Sequence, residues 1–374
     1  QSKVTLGIIC GEQLFYIRII NMSSRIAAIK QYGQKIWLDN ISREFLASGT
    51  LEKMMSDDGI AGVTSNPAIF YKAISTDQRY QEQLVELKKE SLTPLQRYER
   101  MAVVDIKQAC KIMAPLYKSS NTEDGYISLE VSPDLCHDAE GTVKSALELW
   151  NAVNEPNLLI KVPATPAGVE AFEQLVILGL NVNITLLFNL AQVNAIWDAY
   201  IRGLEARTAQ NLPIDKIKTV ASFFLSRIDS AVDEKLPAEL QGKTAINLSR
   251  QAYLDYQKIF NGERFAALKA LGAKGQYLLW ASTGVKNKNY SDVMYIEELI
   301  GEETINTVPD ATLDAFRDHG VAASRLTNGI QNASIILAQV EANGINLHEL
   351  GEKLQKDGLQ QFVEAFDKLL DLVK

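Results

Sequence analysis

A lysine closes an apolar run, Leu158-Leu159-Ile160-Lys161-Val162-Pro163, that otherwise reads as a buried parallel strand. Lysine is seldom buried without compensation. Leaving water disfavours an ammonium, and a neutral amine is the nucleophile that forms imines with carbonyls. A strand-end lysine ordinarily just reaches out to solvent, so the reading depends on its neighbours. In the stretch 180–186, Asn181, Asn183 and Thr185 share one face, opposite Leu180, Val182, Ile184 and Leu186. In 126–131, Glu130 lies opposite Ile127, Leu129 and Val131. Asp39 follows Trp37-Leu38, Thr64-Ser65-Asn66-Pro67 ends another run, and Ser222 ends a third. An amine, two carboxylates and a layer of amides and hydroxyls at strand ends make a site suited to carbonyl chemistry.

Other chemistries find little support. The three histidines, His137, His319 and His348, form no H-E-x-x-H or paired-ligand pattern, which argues against histidine-based metal catalysis. Cys10, Cys110 and Cys136 are scattered and lack C-x-x-C spacing, so they suggest neither a disulfide framework nor a zinc site and fit a reducing cytoplasm. No G-x-G-x-x-G follows the first strand and no P-loop occurs, which removes the usual support for dinucleotide or nucleotide binding. The net charge of −8 argues against a general nucleic-acid surface. An anionic substrate therefore needs a local cluster of Arg or Lys.

The elements that must position these residues alternate along the chain. Eight β-type runs, at 35–39, 60–64, 126–131, 158–162, 180–186, 218–223, 277–282 and 304–308, are separated by helical segments. That alternation predicts βα units and a parallel sheet, and eight units suggest a closed (β/α)8 TIM barrel of α/β class, although an open doubly wound sheet shows a similar pattern. The connections 71–125 and 229–276 are long enough to add helices, with helical patterning at 81–89, 95–113 and 249–260 and a break at Pro237. After Pro309 two or three helices are expected, one with apolar spacing over 359–372. The apolar stretch near the N-terminus is interrupted by Glu12 and Arg18 before it could span a membrane. Residues 1–21 are expected to be a leader or tag, and 22–374 a single barrel domain.

Several stretches resemble the transaldolase family: Trp37-Leu38-Asp39, Gly62-Val63-Thr64-Ser65-Asn66-Pro67, Ser128-Leu129-Glu130-Val131-Ser132 and Ile160-Lys161-Val162-Pro163-Ala164-Thr165. Asn183-Ile184-Thr185-Leu186-Leu187-Phe188, Ala221-Ser222-Phe223-Phe224, Trp280-Ala281-Ser282-Thr283-Gly284-Val285-Lys286-Asn287 and Asn306-Thr307-Val308-Pro309-Asp310 continue it in order. The resemblance runs from about residue 30 to the C-terminus. It is nearest to the long-chain branch, whose members are sometimes fused to a phosphoglucose isomerase domain.

The resemblance implies a class I aldolase-like barrel that uses no metal or cofactor. Its sugar-phosphate partners would be sedoheptulose 7-phosphate and glyceraldehyde 3-phosphate, converted into erythrose 4-phosphate and fructose 6-phosphate in the pentose phosphate pathway. By the same resemblance Lys161 is the Schiff-base lysine, Asp39 the proton carrier for the donor hydroxyl, and Glu130 with Thr185 the holders of a catalytic water. Asn66, Asn183 and Ser222 would bind the dihydroxyacetone fragment, with Thr64 supporting them. Arg227 and Ser282 would hold phosphate. The chain departs from the shorter members at Gly284, where they carry a second arginine, and Lys286 is the candidate to replace that charge. A monomer or homodimer in the cytoplasm, with no nucleic-acid or membrane partner, is expected. The same lysine would also serve an aldolase of this superfamily that releases free dihydroxyacetone, and a non-catalytic sugar-phosphate-binding barrel is the remaining rival.

Overall fold

The structure is a computed structural model that describes residues 24–374. The expected leader at 1–21, with Cys10, lies outside the described residues. Eight strands, β1 (Gln34–Asp39), β2 (Gly62–Thr64), β3 (Tyr126–Glu130), β4 (Leu158–Pro163), β5 (Val182–Leu187), β6 (Thr219–Phe224), β7 (Tyr277–Ala281) and β8 (Thr304–Val308), form a closed parallel barrel. Strand β8 pairs back onto β1 with Thr304 opposite Gln34 and Val308 opposite Leu38, so closure rather than an open sheet is the outcome. The expected strands all form, with ends moved by one or two residues.

One of the two-residue shifts has a side-chain cause. The run expected from 180 starts its ladder at Val182, because Asn181 spends its side chain at the bottom of the barrel. Its amide donates to the carbonyls of Pro156 and Leu158, and its oxygen accepts from the Lys218 backbone N–H. Barrel interiors are packed with side chains rather than open, and here the Trp37 indole fills space left by its neighbour across β1 and β2. A Cβ at Gly62 would lie 2.5 Å from that ring, so only glycine fits.

Polar residues after the strands turn the chain into helices by capping unsatisfied N–H groups. Asn66 accepts from the Ile69 N–H and precedes Pro67 at the start of the helix Pro67–Thr76. Thr165 caps the helix Pro166–Leu178, and Asn189 forms a capping box with Gln192 at the helix Leu190–Ala209. The long connections hold the expected extra helices, at Arg79–Lys88, Pro94–Ser119 and Thr244–Phe260. The tail forms three helices, ending in one of 26 residues, Leu347–Leu372, which begins well before the expected position 359.

At the N-terminal rim, Glu123 receives Lys218 at 3.2 Å, Lys274 at 2.7 Å and Lys35 at 3.4 Å, while Lys35 also meets Asp124 at 2.7 Å. Burial pushes the Lys218 amine down to about 8, and the lysines around Glu123 pull its carboxyl down to about 2 against the opposing effect of its own burial. No helix among the described residues is long and apolar enough to cross a membrane.

Candidate active site

The barrel register sets the site. Glu130 of β3 lies opposite Lys161 of β4, which lies opposite Asn183 of β5, so the three side chains project side by side into the interior. Lys161 is buried. Its Nζ donates to the Ser65 carbonyl at 3.2 Å and stands 3.7 Å from Glu130 Oε2. Burial raises the Glu130 carboxyl to about 7, with the Lys161 charge pulling the other way. A carboxyl held near neutrality exchanges protons in both directions at working pH.

The second carboxylate comes from the far side of the mouth. Asp39, at the end of β1, accepts a 2.6 Å hydrogen bond from Thr64 of β2. With its one proton spent there, the Thr64 hydroxyl accepts from Thr307 of β8, also at 2.6 Å. Burial raises the Asp39 carboxyl, while Lys161 and Thr64 oppose that shift and Asp310 adds to it.

These groups meet in a cavity of about 120 Å³ at the C-terminal ends of the strands, where barrel active sites lie. Of the residues expected from sequence, Lys161, Asp39, Thr64, Asn66, Thr185, Ser222, Arg227 and Ser282 all line it. Glu130 and Asn183 stand just behind the wall. Asn183 donates to Ser128 Oγ at 3.1 Å and accepts from Ser222 at 2.6 Å, which aligns Ser222 at the cavity surface. Thr185 Oγ1 and Glu130 Oε2 are buried oxygens without a hydrogen-bonding partner in the protein.

Arg227 enters the cavity from the helix Ser226–Val232, with its guanidinium 5.5 Å from the Phe224 ring centroid. Its Nη1 is buried without a hydrogen bond, burial lowers its pKa, and it forms no ion pair among the described residues. A guanidinium left in this state is a receptor for an anion. Ser282, in the left-handed region at φ 54°, hydrogen-bonds Ser226 at 2.9 Å and thereby sits beside it.

Lys286 does not join them. Past Ser282 the loop leads away from the mouth, and Lys286 is exposed on a separate surface groove with Tyr290 and His319. A second cation from this loop is therefore absent from the cavity wall. At Gly284 a Cβ would meet nothing closer than 3.7 Å, so the position has room for a side chain but presents no charge.

Sequence reasoning missed several residues. Thr307 and Ser128 carried a usable signal, since each is a polar residue on the interior face of a strand. Phe362 and Gln355 of the C-terminal helix carried none. Phe362 lines the cavity with its ring 5.8 Å from Lys161 Nζ, yet in sequence it is one of many apolar positions of an amphipathic helix.

A parallel eight-stranded barrel with a buried amine, two carboxyls of raised pKa and an unpaired arginine at its mouth defines a class of protein: a barrel enzyme equipped for amine-assisted carbonyl chemistry on an anionic substrate. A family model described as Transaldolase/Fructose-6-phosphate aldolase matches residues 36–373. The chain is 47% identical to a protein named Transaldolase from Thiobacillus denitrificans, over 91% of this chain and 97% of that one. It is 50% identical to the Transaldolase of Neisseria meningitidis serogroup A, over 92% and 98%. It is also 41% identical to Transaldolase 2 of a Nostoc species, over 93% and 96%. The chain belongs to the transaldolase/fructose-6-phosphate aldolase family.

Proposed function

We propose that the protein acts as a transaldolase, a transferase that moves a dihydroxyacetone unit through an imine on Lys161. The donor is sedoheptulose 7-phosphate and the acceptor glyceraldehyde 3-phosphate, giving erythrose 4-phosphate and fructose 6-phosphate, a reaction of the pentose phosphate pathway. The observation that carries this reading is the buried Lys161 amine, 3.7 Å from a Glu130 carboxyl held near neutrality.

The Lys161 amine adds to the donor ketone, and the carbinolamine loses water to form a cationic imine. Glu130 supplies and removes the protons of these steps. A water held between Glu130 Oε2 and Thr185 Oγ1, the two unpartnered oxygens, would carry those protons and satisfy both. Asp39 takes the proton from the donor hydroxyl next to the breaking carbon–carbon bond. The bonding electrons flow into the imine and leave an enamine, and the aldose phosphate departs. The acceptor aldehyde then reacts in the reverse order, with Asp39 returning the proton.

Ser222 and the free amide end of Asn66, whose oxygen is engaged in capping, hold the hydroxyls of the three-carbon fragment, and Asn183 aligns Ser222. Arg227 and Ser282 take the phosphate. Cytoplasmic residence belongs to the same proposal, supported by the two unpaired cysteines Cys110 and Cys136.

Borohydride reduction in the presence of fructose 6-phosphate tests the reading. The expected result is a stable adduct on Lys161 by mass spectrometry, with neither adduct nor turnover in a folded Lys161→Ala variant. Transfer by Lys161→Ala would sink the assignment. Rapid turnover of fructose 6-phosphate without erythrose 4-phosphate as acceptor would mark an aldolase instead.

A further inference from the structure

The C-terminal helix lays one face over the barrel mouth, and at helical spacing that face reads Gln355, Gly358, Phe362 and Phe366. Phe366 is buried and packs edge-on against Tyr98, which meets Phe70 in the helix that starts at Asn66. Gln355 is buried too, and its amide donates to the carbonyls of Ala164 at 2.9 Å and Leu186 at 3.0 Å, just past β4 and within β5. The helix is thus fastened on both sides of Lys161. It is also pressed close: a Cβ at Gly358 would come within 3.1 Å of Arg227 Nη1 and 3.0 Å of Leu186 Cδ2.

Between the two fastenings Phe362 enters the cavity wall. It is only half-buried, and Phe366, Leu359 and Leu369 supply the buried anchorage of the helix. Two polar groups also stand near Lys161 Nζ, the Ser65 carbonyl and Glu130. The ring packs against the core and also presents an apolar face to the Lys161 amine, which favours a dry site.

Dryness matters at one step of the imine cycle, on which this inference rests. After cleavage the three-carbon fragment is an enamine on Lys161. Its nucleophilic carbon can attack an aldehyde, forming a carbon–carbon bond while the aldehyde oxygen takes a proton from Asp39. That route is transfer. Alternatively the same carbon takes a proton, water adds to the resulting iminium, and the carbon–nitrogen bond breaks to release dihydroxyacetone and the free amine. That second route begins with a proton delivered to the enamine carbon, and water entering the space that the departing aldose phosphate has left can deliver it. Exclusion of water from a reactive intermediate is a recognised task of closing elements. The face of an aromatic ring also attracts a nearby cation, here the iminium nitrogen.

We infer that Phe362 is a specificity-determining residue: its ring keeps bulk water from the Lys161 imine and reserves the fragment for an aldehyde acceptor. The test compares the wild type with Phe362→Ala and Phe362→Leu. Fructose 6-phosphate alone reads the release of free dihydroxyacetone, and addition of erythrose 4-phosphate reads sedoheptulose 7-phosphate formation. The ratio of release to transfer should rise by about tenfold in the alanine variant and less in the leucine variant, which keeps most of the bulk. A ratio unchanged in both overturns the inference, as does an equal fall of both activities. If the alanine variant melts early, the leucine variant carries the same test at smaller amplitude. Borohydride labelling of the wild-type Lys161 separates the two failures: label with an unchanged ratio defeats Phe362 alone, whereas no label defeats the imine reading beneath it.

Discussion

Two carboxyl groups beside one amine allow two proton-transfer tasks to be kept apart, and each has its own test. Asp39 is joined to Thr64 and Thr307 at the β1 side of the mouth, whereas Glu130 sits beside Lys161. Asp39→Asn should therefore still form the imine but fail to break the carbon–carbon bond. With fructose 6-phosphate and borohydride, mass spectrometry is expected to show the six-carbon phosphate adduct rather than the three-carbon one. A three-carbon adduct would remove Asp39 from the cleavage step. For Glu130 the relevant property is its carboxyl at about 7. In the proposed role its acid form protonates the leaving hydroxyl of the carbinolamine, so the trapping rate should decline as pH rises through about 7. Glu130→Gln should be slower by about 10²–10⁴-fold, the usual contribution of a general acid or base, and flat across that interval. A variant with the same pH profile as the wild type would contradict the role.

At the scale of elements, the strand ends are held by a helix from the far end of the chain. Leu186 has φ 62°, and the β5–β6 register shifts between Ile184 and Leu187. A non-glycine residue in that conformation persists only where its surroundings hold it. Gln355 does so, with one amide bridging the Leu186 and Ala164 carbonyls. Asn189 extends the fastening by donating to the His348 carbonyl at 3.1 Å. Gln355→Met, similar in volume but unable to donate, leaves two buried carbonyls short of a partner and should cost about 1–3 kcal/mol of stability in denaturant unfolding. Because Thr185 adjoins Leu186, the same variant should also form the imine more slowly. Unchanged stability and unchanged trapping would show that the contact holds nothing.

Across the whole molecule, chemistry and anchorage are divided between the two rims of the barrel. At the N-terminal rim Glu123 joins lysines from β1, from the residue before β6 and from the residues before β7. Glu123→Gln leaves Lys218 buried without its partner. The loss should fall below the roughly 3–5 kcal/mol typical of a fully buried pair, since the Glu123 side chain is 33% exposed. The maximal rate at saturating substrate should be unchanged, because the site lies at the opposite rim. The pH dependence has a definite sign. The Glu123 carboxyl is depressed from its ordinary 4.5 to about 2, so its contribution is present above about 4.5 and is lost as pH falls toward 2. The gap in melting temperature between wild type and variant should close over that interval. A gap that stays constant down to pH 2 would mean that the carboxylate charge is not what holds the rim.

What was legible in the sequence was local. A strand repeats every two residues, so the alternation at 126–131 and 180–186 already placed Glu130, Asn183 and Thr185 on interior faces, and Lys161 stood out by its chemical type against an apolar run. Those faces, and the order of eight strands, needed no knowledge of distant contacts. Lys286 shows where that reasoning stops: four residues after Ser282, it is carried outward by the path of a loop that no periodicity describes. Phe362 and Gln355 mark the same limit. The apolar spacing of the last helix predicts that it must bury a face, but not against what. Only closure of the barrel set its mouth beneath that face, because helix docking depends on two surfaces meeting across some two hundred residues of chain.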